Sequence, residues 1–133
     1  MTRRPDWPDR LEAAIEAARL RPFSWGEHDC AGFAADVVLA ISGVDPMAAL
    51  RGSYTTQHAA VRLMARGGGL ANMTTAALGE PCAMGLVGRG DVVLACTPLG
   101  PSLGICLGVE CAFVGPDGLV MLRRSRCEQG WRI

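Results

Sequence analysis

The chain has 133 residues, half of them hydrophobic, and its 13 basic residues balance 13 acidic ones. This length and apolar content predict one domain with its own core and exclude intrinsic disorder. Zero net charge gives no basic field for nucleic-acid recognition, and no apolar run is long enough to span a membrane. The first ten residues contain arginines but no apolar h-region, so we expect no signal peptide and synthesis in a cytoplasm.

Two helical patterns open the chain. The first is predicted from about Trp7 to Leu20, with Asp6 as its N-cap and an apolar stripe on one face. The second is predicted to begin near Asp29 or Cys30 and to end at Ser42, where Gly43 supplies the C-terminal turn.

Two further helices are predicted before the sequence changes to short apolar runs. The stretch "YTTQHAAVRLMARGGG" predicts a third helix that is capped by Thr55 or Thr56. Its predicted buried residues are Ala59, Val61 or the neighbours of Arg62, Leu63 and Met64. The stretch "LANMTTAAL" predicts a shorter fourth helix that ends before Gly79.

Short apolar runs typical of strands follow from Gly90 onward: "DVVLAC", "LGICLGV", "ECAFVG" and "GLVML". The stretch "VGPDGLV" predicts a hairpin, because Pro-Asp-Gly supplies the dihedral angles of a tight turn. Helices followed by an antiparallel meander define an α+β class, here a single domain over residues 1–133. Its helical part is expected at about 7–80 and its β-meander at about 90–133.

The six cysteines follow no disulfide or zinc-finger spacing, so we expect no metal and no cofactor. Five of them are interpreted as small buried hydrophobic residues, namely Cys82, Cys96, Cys106, Cys111 and Cys127. A metal-binding module built from these five stays open as an alternative. Within it, Cys106 and Cys111 would approach each other across the strand connection at Val109 and Glu110.

The sixth cysteine, Cys30, is predicted at the start of the second helix, where free backbone N–H groups and the helix dipole favour a thiolate. A helix packed on a following antiparallel sheet can present such a sulfur to a histidine on a strand. Asp29 has a simpler interpretation as the N-cap of the same helix.

Four stretches carry a resemblance to a known family: "WGEHDCAGFAADVV", "DP…LRGSY", "RGDVVLA" and "LGICLG". Together they resemble a small family of phage and prophage tail proteins related to the NlpC-type cell-wall cysteine endopeptidases. In those peptidases a cysteine begins a helix, a Gly-Asp opens the first strand, and the next strand carries the base. The matching positions are Asp29-Cys30, Gly90-Asp91 and the strand Ser102 to Gly108.

The resemblance implies a papain-like, NlpC-type fold with N-terminal helices packed on a C-terminal antiparallel sheet. It also implies Cys30 as the nucleophile and places Ser102 where the base histidine belongs. A serine hydroxyl cannot take a thiol proton near neutral pH as imidazole does. His28, two residues before Cys30, is the remaining local base, and His58 in the third helix is a more distant one.

The leading interpretation is therefore a non-catalytic component of a bacteriophage, prophage or gene-transfer-agent tail, at the tail tip, with a degraded active site. The alternative is an active cysteine endopeptidase or amidase that cleaves peptidoglycan during DNA entry. The expected location is the virion tail, after synthesis in a bacterial cytoplasm.

The expected partners are other tail proteins, such as hub and tail-tip subunits, with peptidoglycan as a further ligand. Neither nucleic-acid specificity nor a membrane span is expected. The arginines near both ends of the chain either dock on an acidic partner or form a solvated surface. They are Arg3, Arg4, Arg10, Arg123, Arg124, Arg126 and Arg132.

Overall fold

The computed structural model describes all residues 1–133 and consists of four α-helices followed by a five-stranded antiparallel sheet, so the predicted α+β class is confirmed. The helices are α1 (Trp7–Ala18), α2 (Cys30–Ser42), α3 (Gln57–Arg66) and α4 (Leu70–Leu78). The strands are β1 (Val92–Thr97), β2 (Gly100–Cys106), β3 (Glu110–Gly115), β4 (Gly118–Arg123) and β5 (Cys127–Trp131).

The central helix α2 has both of its predicted ends. The Asp29 carboxylate accepts a 2.7 Å hydrogen bond from the Gly32 N–H, which satisfies one of the free donors of the first turn. Gly43 ends the helix in the left-handed conformation with φ 78°, where a glycine carries no Cβ penalty. The helix is apolar nearly all round, and Phe33, Val37 and Ile41 are fully buried. It is therefore the core helix of the domain.

Two helix predictions need correction. Asp6 lies at the N-cap position of α1, but its side chain makes no capping bond and instead pairs with Arg10 at 2.9 Å. In α3 the N-cap is Thr56, one of the two predicted alternatives. The predicted burial is incomplete, because Val61 is 52% exposed and Ala59 is only partly buried. Leu63 and Met64 are only partly buried as well. They line an open cleft rather than a packed core, which explains why the predicted burial is incomplete.

The sheet has the strand order β4-β3-β2-β1-β5. Strands β1 to β4 form the predicted antiparallel meander, including the hairpin in which Gly115 pairs with Gly118. The strand β5 was not predicted. It crosses behind the meander through a short 3₁₀ turn at Arg124–Arg126 and pairs with β1 at the opposite edge.

The two faces of the sheet pack in different clusters. One face meets α1 and α2 and contributes Val92, Leu94, Leu103, Ile105, Ala112 and Val114 to the main core. The other face forms a smaller cluster of Val87, Val93, Ala95, Cys106, Cys111, Phe113 and Cys127. Alternation of side chains along each strand produces this division.

None of the four helices combines the length and the apolar character that crossing a membrane requires.

Candidate functional site

Cys30 is the first residue of α2 and lies partly buried where this helix packs against β2. Burial raises the pKa of the Cys30 thiol, and the Asp29 carboxylate adds to the rise. The backbone N–H of Leu103 on β2 and the N–H groups of the first helical turn oppose it. The N–H groups of the helix start thus favour the thiolate, as the sequence predicts, but burial outweighs them and the pKa of Cys30 is raised overall.

The turn before Cys30 is organised by the buried Asp29 side chain. Besides capping α2, this carboxylate accepts bonds from the Gly26 N–H at 3.0 Å and from the Tyr54 hydroxyl at 2.6 Å. Burial and the bond to Asp29 raise the pKa of Tyr54, so its hydroxyl stays protonated as a donor. The sequence interpretation missed Tyr54, although "LRGSY" was among the stretches that carried the resemblance.

Gly26 brings the two loops of this turn into contact. Its φ of 82° lies in the left-handed region, and a Cβ at this position would collide with the backbone carbonyl oxygen of Tyr54. Only glycine fits both conditions without strain. The loop that holds Tyr54 therefore packs directly on the turn that leads to Cys30.

His28 is buried, with 1% of its surface exposed, and neither ring nitrogen has a hydrogen-bond partner. Its ring meets Phe33 edge to face, with centroids 6.0 Å apart. Burial lowers the pKa of His28, with a further contribution from Arg21 that Asp36 and Asp29 oppose. The imidazole is neutral and is not hydrogen-bonded to the Cys30 thiol. The main chain of His28 does brace the turn, because its N–H and C=O both bond to Ser24.

Neither of the other two predicted positions is hydrogen-bonded to the Cys30 thiol, although Ser102 lines the same cleft. His58 is exposed on α3. The Ser102 hydroxyl bonds inside the β1–β2 hairpin, to the Gly100 carbonyl at 3.2 Å and to the Thr97 Oγ1 at 3.1 Å. Ser102 pairs across the strands with Ala95, on the sheet face that points away from α2. The β2 side chain on the helix-facing side is its neighbour Leu103.

A cleft of about 730 Å³ opens beside Cys30, between α2, the two short helices α3 and α4, and the start of β2. Most of its lining is hydrophobic, and Met47, Met64 and Met73 contribute flexible side chains to the wall. Its volume lies within the range of small-molecule and peptide pockets. The polar residues in its lining are Asp29, Tyr54, Gln57, Thr74 and Ser102.

The second resembling motif, Gly90-Asp91, has a structural role. The buried Asp91 carboxylate accepts from Arg3 at 2.7 Å, from the Gly88 N–H at 2.8 Å and from the Ile133 N–H at 2.9 Å. This one side chain therefore ties both ends of the chain to the start of β1.

The terminal arginines divide into two groups. Arg3 and Arg124 make internal contacts, the Arg4 guanidinium lies beside Gly43, and Arg10 pairs with Asp6 within α1. Three arginines near the C-terminus are exposed and form no ion pair: Arg123, Arg126 and Arg132.

The fold and site define the class of protein: an α+β domain in which a helix-start cysteine lies over an antiparallel sheet and borders an apolar cleft. A family model described as "Domain of unknown function (DUF6950)" matches residues 2–133, and the chain belongs to this family. No curated protein matches the chain at a significant level.

Proposed function

We propose that this protein is a component of a bacteriophage, prophage or gene-transfer-agent tail, located at the tail tip, with an NlpC-like fold and a degraded active site. The matches at Asp29-Cys30, Gly90-Asp91 and β2 support the proposal. So does the packing of the cysteine-bearing helix α2 on an antiparallel sheet, the layer order of papain-like enzymes.

The observation that carries the non-catalytic part of the proposal is the surroundings of the Cys30 thiol. Thiol proteases need an imidazole that takes the thiol proton and later protonates the leaving amine. Here the polar neighbour of Cys30 on β2 is the Leu103 backbone N–H, and burial raises the thiol pKa. A neutral thiol without a proton shuttle does not expel an amine efficiently.

The surface of the domain suits an assembly role. Arg123, Arg126 and Arg132 are exposed and unpaired, so they remain free to bind acidic side chains of hub or tail-tip subunits. The apolar cleft beside Cys30 keeps the shape of a substrate site, and peptidoglycan is the further ligand that the resemblance suggests for it.

The assembly part of the proposal is tested on particles from the bacterium that carries the gene. Phage or tail-like particles are purified and separated into heads and tails, and each fraction is searched for peptides of this chain by mass spectrometry. We expect the chain in the tail fraction at a fixed ratio to the hub subunit. Its absence from intact particles would contradict the proposal.

The non-catalytic part is tested on the purified protein with peptidoglycan stem peptides, by counting the amines released. We expect equal background rates for the wild type, for Cys30→Ser and for the matched control Cys96→Ser, which changes an exposed cysteine outside the lining of the cleft. Cleavage that Cys30→Ser abolishes and Cys96→Ser retains would establish the alternative, an active endopeptidase or amidase.

A further inference from the structure

Helix α3 forms one wall of the cleft beside Cys30, and few contacts hold it in place. Most of its residues line the cleft, namely Gln57, Ala60, Val61, Leu63, Met64 and Ala65. Only Ala60 is buried, and no residue of α3 belongs to either apolar cluster of the domain. The helix therefore gains little stabilisation from the burial of apolar surface.

Polar contacts do not compensate for this weak packing. The backbone hydrogen bonds of residues 56–69 stay within that stretch, and no ion pair includes a residue of α3. The cap is also local, since the Thr56 hydroxyl accepts from the Ala59 N–H at 3.2 Å. A helix of ten residues is too short to persist alone in water. The local stability of α3 is therefore low.

The segments on both sides of α3 are fixed. On the N-terminal side, the Tyr54 hydroxyl donates to the buried Asp29 carboxylate at 2.6 Å. On the C-terminal side, the Asn72 side chain of α4 donates to the Gly68 carbonyl at 2.9 Å. Between these two points α3 is free to leave its position without moving the rest of the chain.

The neighbouring helix α4 has nearly the same length and borders the same cleft, yet it is anchored. Leu70, Ala71 and Leu78 pack against the main core. The Thr75 hydroxyl accepts from the Trp131 indole N–H at 3.2 Å. The two helices therefore differ in what attaches them to the domain, and α3 should open first.

We propose that α3 is a lid over the cleft beside Cys30, and that it opens by local unfolding between Tyr54 and Gly68 while the rest of the domain stays folded. The closed lid narrows the cleft. The open lid admits larger molecules to the cleft and to the Cys30 thiol. No step of this motion involves a tail subunit, so the lid and the proposed tail location are tested independently.

Hydrogen exchange on the folded wild-type protein tests the lid. Backbone amides are labelled in heavy water at neutral pH, and the protection of α2, α3 and α4 is compared by mass spectrometry after correction for intrinsic rates. We expect the amides of α3 to exchange at least about tenfold faster than those of α2 and α4, because α3 opens alone. Equal protection of α3 and α4 would overturn the proposal, and this outcome needs no variant.

Two adjacent threonines provide a matched pair of variants. Thr56 caps α3 through its hydroxyl, whereas its exposed neighbour Thr55 forms no capping bond. Thr56→Ala should raise the exchange rate of α3 about fivefold, since the loss of an N-cap shifts a helix equilibrium by that order. Thr55→Ala should leave the rate unchanged, and neither variant should alter α2 or α4.

Access to the cleft is measured on Cys30. A bulky maleimide labels the folded proteins, and the tryptic peptide 20–51 contains Cys30 as its only cysteine. Thr56→Ala should raise the labelling rate of Cys30 about fivefold and leave that of the exposed Cys96 unchanged. Equal Cys30 rates in Thr56→Ala and Thr55→Ala would overturn the proposal, because α3 would then not control access to the cleft.

Discussion

Cys30 and Cys127 reverse the roles that their positions in the sequence suggest. Cys30 begins a helix in a peptidase-like motif, yet burial raises its pKa. Cys127 was interpreted as one of five inert core residues, yet a hydrogen bond from Cys111 lowers its pKa. The difference shows that a helix terminus stabilises a thiolate only modestly. At Cys30 burial outweighs this stabilisation, whereas a thiol that donates a hydrogen bond, as at Cys127, has a larger effect on the pKa.

The two sites also differ in what holds them. Cys30 depends on a turn that Asp29, Gly26 and Tyr54 fix through side-chain and backbone contacts. Cys127 depends on strand pairing and on the Arg124 crossover. Perturbing one support should therefore change one cysteine and leave the other unaffected.

The largest effect is expected from Gly26→Ala, which breaks the support of Cys30 alone. The added Cβ collides with the backbone of Tyr54 in a left-handed conformation, which should cost about 4 kcal/mol of unfolding free energy. Gly52→Ala is the matched control, because Gly52 has φ 78° but open space around it, and should cost about 1 kcal/mol. Urea denaturation measures both, and equal losses would show that the contact with Tyr54 does not matter.

Asp29→Ala should cost about 3 kcal/mol, since it removes the α2 cap and leaves the Tyr54 hydroxyl and the Gly26 N–H without their acceptor. It also removes a negative charge beside Cys30, so the pKa of Cys30 should fall. Asp29→Asn separates these effects, because it can keep the cap while losing the charge. Thermal unfolding and the pH profile of Cys30 alkylation measure them. An unchanged Cys30 profile in both variants would contradict the role of the charge.

The sequence predicts those helices and strands whose ends are marked by nearby residues. Caps, glycines and the Pro-Asp-Gly turn predict all four helices and the strands β1 to β4. The strand β5 has the sequence "CEQGW", with little β propensity, and forms only because β1 offers an unpaired edge. The contacts of Tyr54 with Asp29 and of Cys127 with Cys111 join distant segments, and no local pattern reports them.

The buried His28 should make the unfolding free energy depend on pH. Because the folded pKa is lowered, the unfolded chain binds a proton first as the pH falls. Stability should be constant above the ordinary histidine value of 6.5 and should fall below it, by up to about 1.4 kcal/mol per pH unit. Asp6 and Asp45, whose pKa values are lowered from 3.8, titrate at more acidic pH.

Urea denaturation between pH 5 and pH 8 measures the His28 effect. His28→Leu should remove the slope, because it removes the group that titrates. The exposed His58, changed to Gln, is the control and should leave the slope unchanged. A slope that persists in His28→Leu would assign the pH dependence to another group.

The smallest effect concerns the reactivity contrast between the two cysteines. The iodoacetamide rate of a thiol follows its thiolate fraction, so the rate of Cys127 should level off at lower pH than that of Cys30. Arg124→Gln removes a cation that lowers the pKa of Cys127, so of the two midpoints it should move only that of Cys127, to higher pH. Arg126→Gln changes an exposed neighbour on the same turn and should move neither midpoint. If the Cys30 midpoint lay below that of Cys127, the helix terminus would outweigh burial after all, and Cys30 would regain the nucleophilic character that its motif suggests.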